Sequence, residues 1–278
     1  MQHNLFIKIT AVGISLLIVS FLLPVISIKN IDTILISATF LYGMFYGFQI
    51  SLVLGNFLQL KNLLGTETGG LLAVLHLAKI IDGKFAQEVE KRIESYIMRA
   101  IDNPLTHYVQ RTNKDFFAIF EPLETLEVKG EAKLAALNYL NEALYYLPQT
   151  RNQIAQVAPR DIDPPEWALL IILAGILIVA LFFERQPDVI SKISTAIFAT
   201  TVISSLFLLD EVDSNRIQKT KLEYDIFNET LTAMGKLRYY PRFAIRRGIL
   251  GRGTPKPYRV GVFSHFPSLT PREIKIIE

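Results

Sequence analysis

Four stretches of this chain contain no charged side chain, and each is close to the length that a helix needs to cross a bilayer. They run from Ile9 to Ile28, Thr33 to Leu60, Trp167 to Phe183 and Ile193 to Leu209. A crossing helix takes roughly 17–25 apolar residues to span about 30 Å of hydrocarbon. A single short run of this kind also fits a buried core helix; four runs arranged as two hairpins do not fit a water-soluble domain. With 50% of the residues apolar, the chain has more of them than one soluble core of this length requires. Trp167 and Lys192 stand where interfacial anchors are expected. The first run could also be read as a signal peptide, with Val25-Ile26-Ser27 as a loose cleavage site, but its apolar part is too long and its leading charge is only Lys8. The expected fold is therefore an all-α membrane protein, with four transmembrane helices in two hairpins, a cytoplasmic helical bundle and a basic, partly extended C-terminal tail.

The expected organisation is a first transmembrane hairpin over 1–60, a cytoplasmic helical region over 61–165, a second transmembrane hairpin over 166–209, a cytoplasmic helix over 210–240 and a basic Pro/Gly-containing tail over 241–278. Short connections, Lys29 to Asp32 and Glu184 to Asp188, follow the first and third runs, so they share one side of the membrane. Nearly all lysine and arginine falls on the other side, and the positive-inside rule makes that side, with both termini, cytoplasmic. In the central region Val89, Ile93, Tyr96, Ile97, Ala100 and Ile101 form the apolar stripe of an amphipathic helix that Asn103-Pro104 ends. Leu134, Leu137, Leu140, Ala143 and Leu144 repeat the pattern. Leu63 to Ile81 continues the second membrane helix into this bundle.

Few residues suggest bond-making chemistry. There is no cysteine, which excludes disulfides, thiolate metal sites and a cysteine nucleophile. His3, His76, His107 and His265 lack a metal-ligand spacing, and no phosphate-cradling loop, nucleophile elbow or HExxH occurs. Neither an enzyme nor a bound cofactor is expected. Asp210-Glu211-Val212-Asp213 could offer oxygens to a hard cation, but lacks the glycine and later glutamate of a calcium loop; these acids better suit the start of a following helix.

The second run is the most patterned. Thr39, Gly43, Gly47, Ser51 and Gly55 recur every fourth residue and form a small-residue stripe suited to close helix packing in lipid. Opposite them, Tyr42, Phe45, Tyr46, Gln49 and Asn56 form a face whose phenols and amides are costly in lipid, so it should meet protein or water. That face is either polar glue between helices or the lining of a pore. If the stripe packs against the subunit's own helices, the polar face is left for a symmetry axis. In the tail, Arg242, Arg246, Arg247, Arg252, Lys256 and Arg259 have no acidic neighbour before Glu273. They suit anionic lipid headgroups, and no nucleic acid is expected.

Phe40-Leu41-Tyr42-Gly43-Met44-Phe45-Tyr46-Gly47-Phe48, Glu67-Thr68-Gly69-Gly70-Leu71, Asp163-Pro164-Pro165-Glu166-Trp167 and Leu206-Phe207-Leu208-Leu209-Asp210 follow one another in an order that resembles the bacterial bestrophin-like domain family. The similarity covers roughly residues 5–215. In that family Glu67 matches an acidic residue after the second span and Asp210 matches the closing aspartate of the fourth. The chain departs from it at Glu211 to Ser214 and in having Trp167 as its only tryptophan. The resemblance implies a multi-pass protein of a bacterial inner membrane and, through the layout of bestrophins proper, a homo-oligomer that passes inorganic ions, anions before cations. Two functions remain open: a channel lined by the second transmembrane helix, or a non-conducting scaffold or sensor whose bundle and tail bind a partner.

Overall fold

The computed structural model describes residues 2–26, 30–158, 162–213, 216–246, 256–263 and 272–278. It divides the chain into two compact units: 1–55 with 161–215, and 56–160 with 216–278. About 80% of the described residues are helical, and the architecture is that of a membrane protein. Three helices are long and apolar enough to cross a bilayer: α2 (Ile31–Ile81), α7 (Pro164–Glu184) and α8 (Val189–Asp213). In α1 (Gln2–Leu22) the apolar part is the shorter Ile7–Leu22.

The first unit is built by α1, the apolar half of α2, α7 and α8. Leu170, Ala174, Leu177 and Ala180 recur at helical spacing and form the buried side of α7; Ala196, Ala199, Val202 and Leu209 do the same on α8. Small residues at these contacts let backbones approach. Large apolar side chains instead point outward: Ile171, Ile172, Val179, Ile197 and Phe198 are all more than half exposed. In water so broad an apolar surface would aggregate, whereas in a bilayer it is the solvated surface. α1 packs along α8, where Gly13 sits against Thr200. The end of α1 is held by Arg185, whose guanidinium donates to the carbonyls of Ser20, Leu23 and Pro24 at 2.7, 2.9 and 2.9 Å. Helix ends leave carbonyls without partners, and a buried arginine satisfies three of them here.

The second unit gathers the rest of α2 with α3 (Gly83–Asp102), α4 (Tyr108–Arg111), α5 (Asn113–Ala118), α6 (Glu131–Val157) and α9 (Arg216–Ala233). As the sequence suggests, α2 runs unbroken to Ile81, about 76 Å at 1.5 Å per residue. Asp82 then caps α3 by accepting from the amides of Lys84 and Phe85 at 2.8 and 2.9 Å. The expected stripe of α3 is buried throughout. On α6 the helix extends past the expected stretch and through Pro148; Leu140, Ala143, Leu147 and Ile154 are buried while Leu134 is exposed. Gly70 brings α6 close to α2, because a Cβ there would lie 2.6 Å from Leu147.

An all-α reading misses a three-stranded sheet in this unit. β1 (Arg238–Pro241) pairs in parallel with β2 (Tyr258–Phe263), which pairs antiparallel with β3 (Arg272–Ile277); a short helix, α10 (Arg242–Arg246), follows β1. Tyr239 is fully buried and donates to Asp102 at 2.6 Å. Its ring occupies the space in front of Gly261, where any Cβ would collide with the phenol. Part of the basic tail is thereby built into a folded core.

Candidate functional site

Within the apolar half of α2 the two faces have opposite surroundings. Tyr42 is 7% exposed, shares a 2.6 Å hydrogen bond with Ser205 and donates to the Val202 carbonyl at 3.2 Å. Tyr46 stacks on Tyr42 with ring centroids 5.9 Å apart. Phe45, Tyr46 and Ile50 pack against the core of the first unit, and Gln49 is buried. The amide nitrogen of Gln49 has no hydrogen-bond partner among the described residues. Asn56 is half-buried. Around the helix, Gly43, Gly47 and Gly55 face open space, with nothing within 4 Å of an added Cβ. Thr39 and Ser51 are exposed.

This arrangement reverses the premise drawn from the sequence. The polar face meets the subunit's own helices, as glue between them would, and the small-residue stripe is the uncovered side. The physical reason is that the Tyr42 phenol, costly to expose to lipid, finds the Ser205 hydroxyl and the Val202 carbonyl on α8.

Beyond Lys61 the same helix delivers an acid to the centre of the second unit. Glu67 is fully buried and accepts from the phenols of Tyr96 on α3 and Tyr108 on α4, the latter at 2.5 Å. Arg151 on α6, also buried, places its Nε 3.6 Å from Glu67 Oε1. Its Nη2 donates to the Val109 carbonyl and the Thr112 hydroxyl, each at 3.0 Å. The guanidinium lies 4.1 Å from the ring centre of Phe116 and 5.2 Å from that of Tyr96, a cation–π arrangement strengthened by burial. Burial pushes the Glu67 carboxyl up, against the opposing pull of Arg151 and of the hydrogen bonds from Tyr108 and Tyr96. Burial and then the neighbouring Glu67 charge raise both phenols well above the ordinary tyrosine range, so they remain donors.

A second acid, Glu223 on α9, is 1% exposed, and its Oε1 has no hydrogen-bond partner among the described residues. Burial, then repulsion from Glu67, pushes its carboxyl well above the usual range. Of this cluster the sequence singled out Glu67 alone, through the family resemblance. A readable signal existed for the others. Arg151 falls in the helical register of Leu140, Ala143, Leu147 and Ile154, where a charge interrupting an apolar stripe needs a partner.

The acids at the end of α8 do not open the next helix, as the sequence suggested, because α8 continues to Asp213. Asp213 reaches back to α7, accepting from the Ile162 amide at 3.0 Å and Trp167 Nε1 at 3.2 Å. Asp210 is exposed. Among the described residues no group of three or more His, Asp or Glu could hold a metal. Of the basic tail, Arg242 and Arg246 are exposed and Lys256 donates to the terminal Glu278 carbonyl. Arg259 is paired with Glu94 and donates to the Leu237 carbonyl at 2.8 Å. Arg247 and Arg252 lie outside the described residues.

The arrangement defines a class, a helical membrane protein with a second folded unit centred on a buried acid. Residues 29–214 match the model of the bestrophin-like domain, and the chain belongs to that family. A solved structure, the crystal structure of a membrane protein carrying a glycine-to-alanine substitution, is similar with a TM-score of 0.58 and 15% identity. The similarity covers 83% of this chain and 98% of that one, and at this identity it supports the fold. Among curated proteins none shows significant similarity.

Proposed function

We propose that the protein is a homo-oligomeric, bestrophin-type channel of a bacterial inner membrane, with α2 as the helix that meets the other copies and borders the ion path. The observation that carries this reading is the uncovered side of α2. Thr39, Gly43, Gly47, Ser51 and Gly55 form a smooth strip with no helix of the same chain against it, and such strips associate closely in lipid. Family membership supports the channel class. In this reading α1 supplies a fourth crossing, both termini are cytoplasmic, and the path passes anions. Phe45 and Asn56, half-buried at the margin of the packed face, are the side chains we place nearest the path; Tyr42, Tyr46 and Gln49 brace α2 from behind. Arg242 and Arg246 touch anionic headgroups.

Purified protein in planar bilayers should conduct, and Phe45→Ala should increase the current. A second reading, a non-conducting scaffold or sensor, is favoured by one observation: the polar face of α2 is engaged within the chain. Silence of both wild type and Phe45→Ala across pH, calcium and voltage would put the scaffold first.

A further inference from the structure

Among the described residues the core around Glu67 holds a second buried acid that no cation pairs. Four elements converge on this core, α2 with Glu67, α3 with Tyr96, α4 with Tyr108 and α6 with Arg151; α9 reaches it through Phe227, whose ring centre lies 6.1 Å from that of Tyr108, and carries Glu223 one helical turn earlier on the same face. Among the described residues Arg151 is paired with Glu67, and no cation is paired with Glu223. Two charged carboxylates in one low-dielectric core with a single guanidinium beside one of them would be costly, a cost that proteins avoid by neutralising one of the acids. The hydrogen bonds show which one. Glu67 accepts from two phenols and has the Arg151 guanidinium 3.6 Å away, so negative charge is stabilised there. Glu223 has no donor at Oε1 among the described residues.

We propose that Glu67 and Glu223 form a buried proton-binding site in which the pair carries a single negative charge at neutral pH, with the proton on Glu223. Solvent reaches the neighbourhood by an open groove between α2 and α9, lined by Lys61, Thr66, Thr68, Glu229 and Thr230 among others. Removing the proton places two like charges in one core and loosens α9 against α2. A link from that loosening to ion flow rests on the channel reading; the proton site itself does not.

The sign of the pH effect follows from the direction of the shift. A carboxyl whose proton affinity rises on folding contributes its stability below the unfolded value, about 4.3, and loses it as pH climbs through the higher folded value. The folded protein should therefore become less stable from mildly acid to alkaline pH.

The test uses the full-length, detergent-solubilised protein and infrared spectroscopy of the protonated carboxyl C=O band. At neutral pH the wild type should show a buried protonated carboxyl that is lost in Glu223→Gln. Glu223→Gln should also flatten the alkaline decline in thermal stability. In Glu67→Gln the band should weaken, because the repulsion from Glu67 that helps hold the proton on Glu223 is gone. If Glu67→Gln fails to fold, titrating the wild-type band supplies the second measurement, and its loss should track the alkaline loss of stability. A band unchanged in Glu223→Gln, or no band at neutral pH, overturns the proposal. Because neither readout requires conduction, a silent channel with an intact band would defeat the proposed function and leave the proton site standing.

Discussion

The two halves of α2 follow opposite rules although they belong to one helix. Before Lys61 the large apolar residues Phe40, Met44 and Phe48 are exposed while Tyr42 and Gln49 are buried; after it Leu64, Leu71, Val74 and Leu75 are buried while Lys61 and Asn62 are exposed. The solvent changes along the helix. In hydrocarbon, apolar side chains gain nothing by hiding and polar groups seek one another; in water, apolar burial drives packing. Both halves nonetheless enclose polar groups. In the first half a phenol and a hydroxyl meet as neutral partners, and in the second a buried acid accepts from two phenols beside a guanidinium. The comparison predicts that losing a partner costs far more in the second unit than in the first.

The largest effect should come from Arg151→Met. It removes the cation beside a buried acid, and breaking such a pair costs about 3–5 kcal/mol. Denaturant unfolding of the second unit, followed by tyrosine fluorescence, should show a loss of this size. A loss under about 1 kcal/mol would mean that the two phenols suffice. The counterpart in the membrane half, Tyr42→Phe, removes one neutral hydrogen bond to Ser205 and should cost about 0.6 kcal/mol, the average for such bonds between membrane helices. An equal loss for the two variants would erase the distinction between the halves. The smallest effect is expected at the surface. Arg242→Ala with Arg246→Ala should leave stability unchanged and reduce binding to anionic vesicles in a salt-sensitive way, since each residue contributes about 1 kcal/mol near a charged leaflet. Arg259→Ala should instead reduce stability through its lost contacts with Glu94 and Leu237.

How much was legible follows from the range of the interactions involved. Charge-free runs identify α2, α7 and α8 because span length is a one-dimensional property. The stripe of α3 is legible because Val89, Ile93 and Ile97 are neighbours on one turn or the next. The sheet is not, since Tyr239 pairs with Arg259 across 20 positions and the strand Tyr258 to Phe263 sits among glycines and prolines that read as extended coil. Which face of α2 is covered was also beyond the sequence. The heptad pattern separates the two faces, but the choice between them depends on Ser205 and Val202 of α8, about 160 residues away. The buried cluster was half legible: Arg151 in its apolar register, Tyr96 hidden inside an apolar stripe that made it look like ordinary core.

The central claim is that the uncovered face of α2 meets other copies of the chain. Because the protein has no cysteine, Gly47→Cys or Ser51→Cys introduces a single thiol on that face, and Val53→Cys one on the buried face. Thiol-specific bifunctional reagents of graded length, applied to the protein in native membranes, should link copies through positions 47 and 51 and not through position 53. The account is contradicted if positions 47 and 51 react only with a lipid-soluble monofunctional maleimide and never join two chains, because the small-residue strip would then face lipid.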